Sequence, residues 1–133
     1  MSALTLADAR RLIAAAEARA NEIGQPENIA VVDHGGNLLA QVRMDGAWIG
    51  SIDISVNKAW TARAFDIATK DLAGNAQPGQ PFFGIHTTNG GRVVIFAGGI
   101  PLLRDGKVIG GIGVSGGDDN QDQTVAEAGA AAL

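Results

Sequence analysis

The 133-residue sequence predicts a mixed α/β chain of the α+β type: a five-stranded, mainly antiparallel sheet with helices packed on it. Three observations carry this expectation. Apolar residues recur at helical spacing near both ends and once in the middle. Short apolar, β-branched runs lie between them. Those runs are joined by Gly-Gly and Asp-Gly turns, which make hairpins and are too short for βαβ crossovers. The expected order is α-β-β-α-β-β-β-α, and the length suits one domain over residues 1–133.

Thr5 opens the first helix, with Asp8 three residues on as an acidic capping box. Leu6, Ala9, Ile13, Ala16, Ala20 and Ile23 follow at helical spacing, and Gly24 stops the run. Ile29 to Val32 reads as a buried strand, the turn runs from Asp33 to Asn37, and Leu38 to Met44 returns as its hairpin partner. Ser51 to about Asp71 suits a second helix with Ile52, Val56, Ala59, Ala62, Arg63 and Ile67 along one side. A long loop from Gly74 to about Gly91 comes next, of a length that often carries function. Arg92 to Ala97 reads as the third strand. Ile100 to Arg104 and Lys107 to Ser115 flank Asp105-Gly106, a type I′ hairpin signal. Asp118 to Leu133 is an alanine-rich final helix with an acidic start that suits the helix dipole.

Composition narrows the function. A net charge of -4 argues against a nucleic-acid binder, which needs a basic face. With no cysteine there is no disulfide, thiolate metal site or cysteine nucleophile. No apolar run approaches the roughly 20 residues of a membrane span, and no secretory signal is visible. The expected setting is cytoplasmic, with no membrane partner. Glycine is the anomaly: 19 of 133 residues, about twice the roughly 7% average.

Two apparent motifs share those glycines. Gly111 to Gly116 spells G-x-G-x-x-G, but the following helix opens with aspartates that would repel phosphate. Gly113 to Gly117 spells G-x-S-x-G around Ser115, but both histidines precede the serine, against the hydrolase order. The better reading is a strand whose bare backbone, Gly99 included, packs closely on a neighbouring backbone, a ligand or another subunit. Arg43-Met44-Asp45-Gly46-Ala47 is the most chemically pointed segment, with a cation able to clamp a carboxylate, a thioether and a carboxylate. Lys58 either snorkels from an apolar face or adds a second cation beside Arg43. His86 in the long loop and His34 in the hairpin turn are the acid–base or metal-binding candidates. A metal site built on two histidines alone has little support, and the acidic run from Asp118 to Asp122 reads first as a charged helix start.

Five ordered blocks resemble one family. Val31-Val32-Asp33-x-Gly35-Gly36-x-Leu38, Arg43 to Ala47, Lys58 to Ala62, Gly98 to Pro101, and Gly110 to Gly117 with Asp122 beyond are similar to the GlcG/HbpS family of haem-degrading domains. The resemblance covers nearly the whole chain. It implies a profilin-like sandwich, a five-stranded antiparallel sheet flanked by helices. It also implies a homo-oligomer: a dimer, tetramer or octamer. Some members bind or degrade haem, a related domain is fused to cobalamin adenosyltransferases, and others accompany glycolate or aromatic catabolism.

Three functions follow as expectations. The first is a small-molecule binding module for haem or another tetrapyrrole, with Arg43 and Lys58 neutralising carboxylates. The first helix offers no His, Met, Cys or Tyr, so an iron ligand would come from His34, His86 or Met44. The second is a cofactor-free catabolic enzyme for a small carboxylated or carbonyl compound. There Arg43 and Lys58 bind the anion, and His86 or Asp45 moves a proton. The third is a non-catalytic oligomeric partner.

Overall fold

The computed structural model describes residues 3–133. Its order is α1 (Leu6–Ile23), β1 (Asn28–Val32), β2 (Leu38–Arg43), α2 (Gly50–Phe65), α3 (Thr69–Asn75), β3 (Gly99–Arg104), β4 (Lys107–Ser115) and α4 (Asp119–Ala130). Two 3-10 turns, Ile85–Thr87 and Asn89–Gly91, precede β3. The sheet is antiparallel in the order β2-β1-β4-β3, with four strands among the described residues rather than five.

Local signals hold where the chemistry is local. Thr5 caps α1 in a reciprocal box with Asp8, and Gly24 ends it in the left-handed conformation. Asp105 and Gly106 both take positive φ (53° and 75°), as a type I′ turn requires. Asp118 caps α4 in a second box, with Gln121.

The missing strand is the expected one at residues 92–97. Its backbone is taken by α2 instead: Thr61 Oγ1 donates to Arg92 O and accepts from Val94 N. The Arg92 guanidinium lies 3.9 Å over the Trp60 ring, which holds the segment against that helix. The expected long second helix is two helices. Asp66 takes a left-handed conformation (φ 52°) and is pinned by Arg63 at 2.7 Å, so α2 ends at Phe65 and the chain restarts as α3.

The main apolar core lies between one sheet face and α1 with α4, where Leu12, Ala16, Ile29, Val31, Ile112 and Val125 are buried. The other face is covered by α2, and here the glycines act. A Cβ at Gly113 would stand 2.5 Å from Ala59 N, one at Gly111 would strike Ala59 O, and one at Gly99 would stand 2.5 Å from Lys58 O. The helix therefore rests on the strand backbone itself. The buried residues of α2 are small or polar (Ser51, Ser55, Lys58, Ala59, Thr61 and Ala62), while Ile52, expected inward, is 37% exposed. What meets the bare glycine backbone is a helix of the same chain.

Candidate functional site

The sheet register builds one end of the molecule. Asn28 pairs with Arg43 on β2 and with Ser115 on β4, so the three form a row across the strands. In the next row Met44 N donates to Glu27 O at 3.0 Å. Gly46 (φ 84°) and a Met44 O···Ala47 N hydrogen bond then turn the chain away toward α2.

A groove runs from this end along the seam between α1 and the edge strand β2. It comprises two depressions, of about 760 and 540 Å³, that share Glu17, Asn21 and Val42. The larger has aliphatic walls from Ile13, Leu39 and Val42, with Arg10 on its margin. The smaller ends on Pro26, Arg43, Met44 and Asp45. Arg43 is steadied by a 3.3 Å hydrogen bond from Nη1 to Ala47 O. The arrangement is a slot of mixed polarity, with an aliphatic stretch of wall, a guanidinium toward each end, and the carboxylates of Glu17 and Asp45 in the same lining. The aliphatic stretch and the guanidinium groups suit a flat molecule with an anionic group at its edge.

Behind the Arg43–Met44 end lies a sealed cluster of charge. Lys58 is wholly buried, and its Nζ donates to Asp122 Oδ2 at 2.9 Å and to Val114 O at 2.8 Å. Asp122 Oδ1 accepts from Gly117 N at 2.9 Å. The Phe96 ring covers the ammonium at 5.0 Å. Glu27 is also fully buried, and neither carboxyl oxygen accepts a hydrogen bond among the described residues.

Against known proteins, residues 4–131 match the family model described as haem degrading protein HbpS-like. The chain belongs to the HbpS-like family. An uncharacterized 15.0 kDa protein from the dhaT-dhaS intergenic region of Citrobacter freundii is 47% identical over 127 residues, 96% of this chain and 89% of that protein. Among solved structures, Klebsiella pneumoniae protein ORFY superposes with a TM-score of 0.96 at 42% identity, covering 99% of this chain and 91% of that one. A PduOC:Heme complex gives 0.95 at 39% identity, covering 99% and 96%.

The sequence-derived candidates of this HbpS-like chain do not form one constellation. Arg43, Met44 and Asp45 share the groove. Lys58 neither snorkels nor joins Arg43, because its ammonium is committed to Asp122 and Val114 O inside the protein. His34 stands in the exposed hairpin turn, where Arg63 Nε donates to its carbonyl at 2.7 Å. His86 sits in a 3-10 turn, edge-on to Phe83 at 5.9 Å, and lines neither depression. Gly99 is covered by α2 and donates its N–H to Thr69 Oγ1 at 2.9 Å. Ser115 is buried, with its carbonyl accepting from Asn28 Nδ2.

Glu27 and Asn28 were not singled out from the sequence. The available signal was position: Asn28 adjoins Ile29 to Val32, a strand buried along its whole length, and Glu27 stands one residue before Asn28. Asp122, read as part of a solvated helix start, turns inward instead and is 3% exposed. No described helix is long and apolar enough to cross a membrane. No described group of three or more His, Cys, Asp or Glu is placed to hold a metal ion.

Proposed function

We propose that this chain is a small-molecule binding module whose α1–β2 groove takes a flat, apolar, carboxylated ligand of the tetrapyrrole class, haem included. The observation that carries this reading is the continuous slot with aliphatic walls and Arg10 and Arg43 toward its two ends. The relative whose structure is a PduOC:Heme complex supports the same class. The residues fit the faces and carboxylates of such a macrocycle in part: Ile13, Leu39 and Val42 would meet the ring and the two arginines the propionates, while Glu17 and Asp45 set two carboxylates in the same slot. They fit its iron less well. Both histidines lie outside the slot, and Met44, which lines its smaller depression, is half-buried against the core. Haem, when bound, supplies one-electron and dioxygen chemistry, while this chain supplies the wall and the cations.

A haem titration of the purified protein, followed at the Soret band, tests the reading. Arg43→Ala and Arg10→Ala should each weaken binding by roughly tenfold, the loss of one partly exposed charge-assisted contact. His34→Ala and His86→Ala should leave the titration unchanged. No spectral shift, or a shift indifferent to both arginines, would reject the groove as the site.

Self-association is a second reading, favoured by Trp48 and Ile49, which stand 65% and 78% exposed at the entry to α2. Sedimentation at micromolar concentration should show a species larger than the monomer, shifted toward monomer by Trp48→Ser with Ile49→Ser. A monomer in the unmodified protein would sink it.

A further inference from the structure

The end of the sheet behind the groove holds an imbalance of charge that ligand binding does not use. Two carboxyl groups, Glu27 and Asp122, are 0% and 3% exposed, and Lys58 is the ammonium buried with them. Asp122 is fully engaged, one oxygen on Lys58 Nζ and the other on Gly117 N. Glu27 meets the Asp122 carboxyl, yet neither of its own oxygens accepts a hydrogen bond among the described residues. Were both acids ionised, this interior would hold one uncompensated negative charge and two acceptors without a donor. A protein interior does not sustain that state cheaply. One proton removes both difficulties at once.

We propose that Glu27 and Asp122 form a proton-binding site, with the proton resident on Glu27 and its O–H donated to Asp122. The cluster is then neutral: a Lys58 ammonium, an Asp122 carboxylate and a Glu27 carboxylic acid. Charges from every packed element bear on the site. From α2 comes Lys58, and from α4 come Asp122, with Asp118 also acting on Glu27 and Asp119 on Lys58. The β4–α4 turn brings Gly116, where a Cβ would stand 2.9 Å from Glu27 Oε1, so glycine makes the room for the acid. Burial above all, then Asp122, pushes Glu27 up to about 9, while burial draws Lys58 down against the pull of Asp122.

Glu27 has no exposed surface, so the proton ties elements together rather than reacting with substrate. It joins the start of β1 to α2 through Lys58 and to α4 through Asp122. The folded chain holds one more proton here than the unfolded chain between the ordinary value of 4.5 and about 9. The cluster's contribution to stability is therefore whole below 4.5 and is lost as pH rises through that window. An ion-paired carboxylate with a depressed pKa would slope the other way. Lys58, lowered from 10.5, acts with the opposite sign at the alkaline end.

The test is a carbon-13 NMR titration of the glutamate carboxyl resonances in the intact protein, assigned by backbone-to-side-chain correlation. Glu27 should titrate near pH 9, well separated from the ordinary glutamate range. A parallel series of thermal midpoints from pH 5 to 9 should fall in the wild type and fall much less in Glu27→Gln. That variant keeps the shape and donates a permanent N–H to Asp122. A Glu27 resonance with an ordinary acidic midpoint would overturn the proposal, and so would identical pH profiles for the two proteins. The wild-type titration decides the matter even if the variant folds poorly. It also stands apart from the groove, because no ligand is present.

Discussion

Lys58→Met is expected to destabilise the fold by about 3–5 kcal/mol, the range for removing one partner of a buried ion pair. The lysine is 0% exposed and its pair partner's side chain only 5%. Water therefore cannot replace the lost ammonium without opening the junction of α2, β4 and α4. Methionine matches the length of the stem, so most of the packing survives and the loss is electrostatic. Asp122 would keep Gly117 N and the Glu27 carboxyl, and Val114 O would lose its side-chain donor. Denaturant unfolding at neutral pH measures the cost, with the slope showing whether the transition stays two-state. A Lys58→Met/Asp122→Leu double variant should recover part of it, because an apolar pair leaves no stranded charge. A single-variant loss below about 1 kcal/mol, the range of an exposed pair, would show that the cluster is hydrated in solution.

The interior role of Lys58 was only half legible in the sequence. Its neighbours Val56, Ala59 and Trp60 marked an apolar setting, which invites a stem buried to its charged tip. What completes the burial is Asp122, which is 64 residues away. Its place among Asp118 and Asp119 made it read as dipole-facing surface charge. The capping box at Thr5 and the Asp105-Gly106 turn were legible because each is settled within four residues. The segment after Gly91 has the β-branched character of a strand, but Thr61 and Trp60 of α2 claim it. That competition is tertiary, and no periodicity reports it. The same holds for the groove. Arg43 to Asp45 announced themselves, but the wall opposite is α1, whose Arg10, Ile13 and Glu17 look like any amphipathic helix until β2 is set beside them.

The glycine excess leads to the other large expectation. Gly113→Ala should cost about 3 kcal/mol or more, at or beyond the upper end of overpacking penalties. The reason is steric and not conformational, since Gly113 lies in regular strand backbone. Its added Cβ would stand 2.5 Å from Ala59 N and closer still to Ser55 O, both backbone atoms of α2 that no rotamer change can move. The strand cannot yield either. Gly113 is paired with Ala30 on one side and Gly99 on the other, at the centre of the sheet. Relief requires α2 to lift, which would loosen Lys58 from Asp122 and Thr61 from Arg92 and Val94 together. Gly74→Ala in α3 is the internal control. Apart from its chain neighbours and its own helix backbone, nothing lies within 4 Å of the position its Cβ would take, so helix propensity alone should stabilise that variant, by at most about 0.5–1 kcal/mol so near the end of α3. Comparing the two unfolding curves separates glycine needed for contact from glycine merely present. If Gly113→Ala melts with the wild type, α2 does not rest on the β4 backbone, and the close approach that seals Lys58 loses its basis.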